Sequence, residues 1–226
     1  MSLTATTLTA TEETNLAAAW EQAKRDPLCF LEEFVFTCDQ HDKDSPIKRF
    51  PIQRPHLQAM VGLWLDNPLL AVKKSRQLIQ TWLFVALGVW DWLFHDGRLI
   101  MFQSKREEDA VGDAVAGDGL LGRGRFIMDH LPARSVLVPD YVATYNKMRL
   151  PSRNSTIWAI PQGANIIRQR TASGILSDEA AFQDQFGDAY TAAMPCIRGG
   201  GWVVALSSAH PGFFERLHGD TLSEGE

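Results

Sequence analysis

Residues 69–81 read LLAVKKSRQLIQT and join a short apolar run to a long helical pattern. Leu69–Val72 predicts a buried strand, because four apolar residues precede a charged turn. Residues 77–94 predict a helix, since the apolar stretch Trp82–Phe94 is too long for a strand and is interrupted only by Asp91. A loop between a strand and a helix start can bind phosphate through converging backbone N–H groups. The stretch therefore predicts a phosphate-binding fold.

Further short apolar runs follow this stretch and alternate with amphipathic ones, at 99–102, 156–160, 175–176 and 202–206. Such alternation is typical of an α/β fold with a central, mostly parallel sheet flanked by helices. Helices are also predicted over 15–36, with a break near Pro27, and over 105–116. Residues 1–14 are polar and predict a frayed arm.

The domain organisation follows from these patterns. We assign residues 46–215 to one main domain, 1–45 to an N-terminal arm with a helical appendage, and 216–226 to a C-terminal tail or linker. The chain has 226 residues with 45% hydrophobic and 22% charged side chains, which predicts a globular protein.

Charge and cysteine content exclude several classes of protein. The net charge is -5, so the chain is not a bulk polycation that coats nucleic acid, although residues 46–170 carry 17 basic against 10 acidic side chains. Three cysteines are too few for a disulfide framework. The longest apolar stretch is shorter than the roughly 20 residues of a membrane span, and no secretory signal is predicted.

The loop after the first strand is the first candidate site. If Thr81 closes the frame G-x-x-x-x-G-K-[ST], then Lys74 takes its first position, Ile79 replaces the second glycine and Gln80 replaces the lysine. The cation for the phosphates would then come from Lys74 or Arg76. The alternative is a strand end with solvated basic side chains.

Asp178 and Glu179 form the second candidate, one residue after the apolar run 175–176. Adjacent carboxylates at a strand end are unfavourable unless a cation is present, so Asp178 is predicted to hold a metal and Glu179 to activate water. The alternative is an acidic pair that opens the next helix.

Three further sets of residues are weaker candidates. Ser207 and Ser208 end the last strand and would sense the terminal phosphate, although such residues are also ordinary in turns. Gln53, upstream of the loop, would select adenine through its amide group, or is simply a polar loop residue. A finger that stabilises charge on the transferred phosphate would come from Arg123, Arg125, Arg168 or Arg170.

In chain order these motifs resemble the ATPase domain of the large terminase subunit of tailed bacteriophages. The loop of that family, K-x-R-Q-x-G-x-[ST], is matched by Lys74, Arg76, Gln77 and Thr81, and its basic run into D-E-A-A-F is similar to residues 168–182. The resemblance covers roughly 46–212. This sequence departs from the family at Ile79, where the family has glycine.

The resemblance implies a P-loop NTPase fold of the RecA-like, additional-strand, catalytic-glutamate type, with ATP and Mg²⁺ as cofactors. ATP would be bound by Gln53, Lys74, Ser75, Arg76, Gln77, Leu78, Ile79, Gln80 and Thr81, and Mg²⁺ by Thr81 and Asp178. Glu179 would be catalytic, and Ser207 and Ser208 would couple turnover to DNA movement.

The family also implies partners. These are double-stranded DNA, the portal and the small terminase subunit, in a homo-oligomeric ring on the procapsid in the host cytoplasm and without a membrane. Family members continue into a nuclease, and nuclease activity is not expected in this chain.

Two rival functions stay open at this point. A superfamily-2 helicase core shares the order of these motifs, and a non-catalytic assembly module would keep the fold but bind nucleotide weakly because of Ile79. Residues 117–122 satisfy G-x-G-x-x-G, but they follow a predicted helix rather than a strand, so a dinucleotide site is not predicted.

Overall fold

The computed structural model describes residues 10–75, 79–132 and 137–223. The helices are α1 Ala10–Ala23, α2 Pro27–Glu33, α3 Pro55–Asp66, α4 Gln80–Phe94, α5 Glu107–Val111, α6 Leu120–Asp129, α7 Asn165–Arg168, α8 Phe186–Arg198 and α9 Phe213–Ser223. The strands are β1 Phe36–Cys38, β2 Ile47–Arg49, β3 Leu69–Lys73, β4 Leu99–Gln103, β5 Val142–Thr144, β6 Lys147–Leu150, β7 Ser155–Ile160, β8 Gly174–Ser177 and β9 Trp202–Ser207.

Seven of these strands form one sheet in the order β3-β9-β8-β4-β7-β6-β5. The first five are parallel to one another, whereas β6 and β5 are antiparallel additions at one side. The five parallel strands contain the five apolar runs of the sequence, so the predicted α/β fold with a mostly parallel central sheet is confirmed. Strand β9 lies between β3 and β8, as an additional strand inserted beside the one that carries the acidic pair.

Helix α4 is the centre of the hydrophobic core. Every residue from Trp82 to Phe94 is buried, which agrees with a helix that is apolar on all sides. Gly88 allows α4 to lie close to β4, because a Cβ atom there would come within 2.8 Å of the Phe102 ring. Among the described helices, none is long and apolar enough to cross a membrane.

The N-terminal helices pack against the same core. Trp20 of α1 makes edge contacts with Phe34 and with Phe94 at the end of α4, each with ring centroids 4.9 Å apart. The indole N–H of Trp90 donates to the carbonyl oxygen of Ala23 at 2.7 Å. The boundary at residue 45 stays a prediction.

Two predicted helices differ in extent from the observed ones. The helix predicted over 105–116 ends at Val111, because the chain turns at Gly112 with φ of 62°, where a Cβ would lie 2.1 Å from the carbonyl oxygen of Asp118. Helix α1 begins at Ala10, within the stretch expected to be frayed, and the break near Pro27 is present between α1 and α2.

Candidate functional site

The sheet brings the predicted loop and the predicted acidic pair to the same edge. Strands β3 and β8 both pair with β9 in parallel, with Lys73 opposite Ser207 and Ser177 opposite Ala205. The carboxyl ends of all three strands therefore lie side by side, which is where ligands bind in open α/β sheets.

Lys74, Thr81 and Asp178 meet at this edge. The Lys74 Nζ atom donates to Thr81 Oγ1 at 2.8 Å and lies 3.0 Å from Asp178 Oδ1. The Thr81 hydroxyl donates to Asp178 Oδ2 at 3.1 Å. The side chains of Lys74 and Asp178 are only 13% and 11% exposed, so water screens this pair weakly.

Glu179 lies beside this cluster but points further into solvent. Its Oε1 atom is 3.7 Å from Lys74 Nζ, and its side chain is 45% exposed. The backbone of Glu179 is left-handed, with φ of 51° and ψ of 39°, so the chain turns sharply after Asp178. The Glu179 N–H donates to Asp178 Oδ1 at 3.0 Å, which fixes this turn.

A buried network of polar side chains lies behind the acidic pair. Gln183 Nε2 donates to the carbonyl oxygen of Asp178 at 2.8 Å and to Ser177 Oγ at 2.9 Å. The Ser177 hydroxyl donates to Gln103 Oε1 at 3.2 Å. This network was not predicted, although Gln103 and Ser177 are polar residues that end apolar runs and so carried a signal in the sequence.

Ser207 connects the loop to the acidic turn. Its carbonyl oxygen accepts from the Lys74 N–H at 2.8 Å, and its hydroxyl oxygen accepts from the Ala181 N–H at 3.1 Å. The residue is completely buried. Ser208 follows it in a half-buried position.

Ile79 precedes α4 in a left-handed conformation, with φ of 58° and ψ of 6°. The chain thus keeps at this point the backbone shape that glycine adopts most easily. Arg76, Gln77 and Leu78, which we predicted to bind ATP, lie outside the described residues.

An open cleft of about 720 Å³ lies in front of this edge. Lys74, Ser75, Ile79, Gln80 and Thr81 line it from the loop and α4. Further residues complete its walls, and among them only Arg123 was a predicted site residue: Thr37, Cys38, Asp39, Gln40, His41, Lys48, Arg49, Pro51, Arg54, Trp82, Gly117, Asp118 and Arg123.

Gln53, the predicted adenine selector, is exposed between two residues of that wall, Pro51 and Arg54. The wall from Thr37 to His41 gave no sequence signal, because β1 and β2 are strands of three residues each without an apolar run.

The four candidate arginines lie in three different environments. Arg123 lines the cleft. Arg125, two residues later in α6, donates to the carbonyl oxygens of Thr144 and Tyr145 in the turn between β5 and β6. Arg168 and Arg170 are exposed and line a different pocket, beside α8.

The fold is similar to that of phage large terminases of known structure. A variant of the large terminase ATPase domain of Thermus phage P74-26 has a TM-score of 0.54 and 15% identity, over 71% of this chain and 68% of that chain. The same domain in another structure has a TM-score of 0.50 and 15% identity, over 66% and 63%. The HK97 bacteriophage large terminase has a TM-score of 0.59 and 16% identity, over 89% of this chain and 41% of that chain.

The match thus spans less than half the length of the HK97 protein. No protein-family model and no curated protein matches the sequence. At this level of identity the similarity shows the fold, which is the RecA-like P-loop fold of the large terminase ATPase domains, as predicted.

Proposed function

We propose that this chain is the ATP-hydrolysing motor domain of a viral DNA-packaging terminase. It would couple hydrolysis of Mg-ATP to translocation of double-stranded DNA into a procapsid. The observation that carries the proposal is the meeting of Lys74, Thr81, Asp178 and Glu179 at one sheet edge, beside a cleft, in a chain with the terminase ATPase fold.

The loop would bind the phosphates of ATP. The Lys74 ammonium, together with Arg76, would neutralise charge on the β- and γ-phosphates, and the amides of residues 77–81 would surround them at the start of α4. Ser75, Ile79 and Gln80 line the same cleft. In the structure the Lys74 ammonium contacts the side-chain oxygens of Thr81 and Asp178. It would turn from these oxygens towards the phosphates when nucleotide binds.

The donor atoms of the site fit Mg²⁺. Thr81 Oγ1 and Asp178 Oδ2 are hard oxygen atoms only 3.1 Å apart, and Mg²⁺ is usually held by one or two carboxylates together with substrate phosphates and water. Thr81 and Asp178 would hold the ion. When bound, it would neutralise charge that develops on the phosphate oxygens.

Glu179 would act as the general base. Its carboxylate would accept a proton from a water molecule while the water oxygen forms a bond to the γ-phosphorus. The bond from that phosphorus to the bridging oxygen would break, leaving ADP and phosphate. The exposure of the Glu179 side chain, beside Lys74, supports this role, because water reaches it directly.

The remaining assignments concern recognition and assembly. Gln53 would select adenine, and Ser207 and Ser208 would transmit the state of the phosphates. Arg168 and Arg170 are exposed and would serve a neighbouring subunit of a homo-oligomeric ring. The ring would work in the host cytoplasm with double-stranded DNA, the portal and the small terminase subunit.

Replacing Glu179 tests the proposal. Glu179→Gln removes the proton acceptor but keeps the size of the side chain, so we expect ATP affinity within about threefold of wild type and hydrolysis lowered about 10²- to 10⁴-fold. Calorimetric titration with ATP and Mg²⁺, and phosphate release with DNA present, measure the two effects. Asp184→Asn is the matched control, because this exposed carboxylate lies five residues further along.

Two results would contradict the proposal. Unchanged hydrolysis by Glu179→Gln would remove the assigned base. Failure of the folded wild-type protein to bind millimolar ATP would favour the non-catalytic assembly module, and strand separation by the protein would favour the helicase.

A further inference from the structure

Arg123 is a half-buried cation that lines the cleft. Its Nε atom is buried and has no hydrogen-bond partner. Within the described ranges, no carboxylate lies close enough to form an ion pair with its guanidinium group. A buried guanidinium N–H without an acceptor is unfavourable, and an anion in the cleft would compensate it.

The Arg123 guanidinium group interacts with an aromatic ring and with two carboxylates near the site. The guanidinium carbon lies 5.5 Å from the centroid of the Trp82 ring, a cation–π contact with the first turn of α4. Burial lowers the pKa of Arg123, and the negative charges of Asp178 and Asp118 raise it again in part. The Arg123 guanidinium group therefore lies near enough to Asp178, the proposed metal ligand, for their charges to interact.

The missing anion can be identified from the position of Arg123 in the cleft. Lys74 and Thr81 line the same cleft, and both belong to the proposed phosphate site. A guanidinium group presents several N–H donors in a planar fork that matches phosphate oxygens. A nucleoside triphosphate bound there would supply an anion in direct contact with the guanidinium group, whereas Asp178 and Asp118 act on it only from a greater distance.

We propose that Arg123 binds the terminal phosphate of the nucleotide in its own subunit, as a substrate-binding residue supplied in cis. This inference rests on the proposed function and adds to it an arginine within the chain, separate from any arginine of a neighbouring subunit. Trp82 would act as a positioning residue, because its ring holds the guanidinium group at the cleft.

The first experiment compares ATP with ADP. Arg123→Gln removes the charge, so we expect ATP affinity to fall about 10-fold or more and ADP affinity to change less than about threefold. We expect Arg123→Lys, which keeps the charge but not the fork, to give an intermediate loss. Arg125→Gln is the matched control on the same helix, and both affinities should stay within about twofold of wild type.

Calorimetric titration and a thermal melt of each variant give the result. Wild-type affinities for both nucleotides in folded Arg123→Gln would overturn the inference while leaving the proposed function intact. A wild-type protein that binds no ATP would instead overturn the proposed function. If Arg123→Gln melts below the assay temperature, Arg123→Lys is measured instead. A ratio of ATP to ADP affinity that is unchanged from wild type in Arg123→Lys then overturns the inference.

A mixing experiment separates action in cis from action in trans. A mixed oligomer of Arg123→Gln and Glu179→Gln subunits contains sites with an intact Glu179 next to neighbours with an intact Arg123. If Arg123 acts in cis, these sites gain nothing from their neighbours, and the mixture hydrolyses no more ATP than the two variants measured separately. Recovery of hydrolysis on mixing would show action in trans and contradict the assignment.

Discussion

At the residue scale, backbone strain is concentrated at the proposed site. Among the described residues other than glycine, positive φ angles occur at Ile79, Asn154 and Glu179, and two of these three flank the phosphate site. A left-handed conformation costs an ordinary residue about 1–2 kcal/mol, and a β-branched residue such as Ile79 is an unusual choice for it. Strain of this kind is common where a binding site requires a particular turn.

Replacing Ile79 with glycine should improve nucleotide binding. Ile79→Gly removes the strain and allows the phosphates to approach the backbone amides, so we expect ATP affinity to rise several-fold. Stability should change by less than about 1 kcal/mol, because lost packing of the half-buried side chain offsets the relief. Titration with ATP and denaturant unfolding measure both quantities.

The control keeps the branched side chain. Ile79→Val retains the strain and loses one methylene group, so ATP affinity should stay at the wild-type value while stability falls by about 0.5–1.5 kcal/mol. Weaker ATP binding by Ile79→Gly than by wild type would show that the isoleucine side chain itself contributes to the site.

At the scale of elements, an ionic cluster joins α4, β4 and β9 at the sheet edge opposite the site. Asp91 accepts from Arg98 at 2.7 Å and from the Trp202 indole N–H at 2.8 Å, and lies 3.1 Å from His95 Nδ1. Burial acts to raise the pKa of Asp91, but the hydrogen bonds from His95, Arg98 and Trp202 lower it below its ordinary value. The cluster fixes the amino ends of β4 and β9.

This cluster predicts a pH-dependent contribution to stability from His95. The hydrogen bond to Asp91 raises the pKa of His95, although burial and Arg98 act in the opposite direction. The protonated imidazole therefore stabilises the fold fully below about pH 6.5, its ordinary pKa, and this contribution is lost as the pH rises through the higher folded value. His95 is partly exposed, so the contribution is at most about 1 kcal/mol.

Denaturant unfolding of wild type and His95→Gln at several pH values measures the effect. The difference in free energy of unfolding should be largest near pH 6 and should decline towards about pH 9. His56→Gln replaces an exposed histidine on α3 and is the control for the loss of an imidazole outside the cluster. A difference for His95→Gln that does not change with pH would contradict the assignment.

At the scale of the whole molecule, β9 connects the loop at Lys74 with the acidic turn at Ala181, and these two parts would have to move together. Ser207 holds the backbone of Lys74 on one side and that of Ala181 on the other. Beyond Ala181, a small aromatic cluster of Phe186, Phe213 and Phe214 connects the acidic turn to α8 and α9. A change at the proposed phosphate site would therefore have a continuous packed route to α8 and α9.

Removing the Ser207 hydroxyl should uncouple DNA from hydrolysis. Ser207→Ala leaves the Ala181 N–H without its acceptor, which costs about 1–3 kcal/mol of stability. We expect stimulation of ATP hydrolysis by double-stranded DNA to fall more than the basal rate. Ser155→Ala on β7 is the control, since it removes an equally buried serine remote from the cleft and should lower stability without changing that ratio. An equal loss of stimulation in both variants would count against coupling through Ser207.

The sequence alone determined the strands of the parallel sheet and the position of the acidic pair. Both depend on local patterns, namely apolar runs of two to five residues and the charged residues that follow them, such as Lys74 and Asp178. The prediction of a helix over 105–116 was wrong for residues 112–116. The helix ends at Val111 because Gly112 turns the chain against Asp118.

Only the tertiary structure decided which residues share the cleft. Thr81 and Asp178 are 97 residues apart in the chain, and they meet because β9 inserts between β3 and β8. The same packing brings Arg123 and the residues from Thr37 to His41 to the cleft that Lys74 and Thr81 line. Strand order depends on how all elements together bury their apolar faces, so a local pattern could nominate four arginines but could not select Arg123 among them.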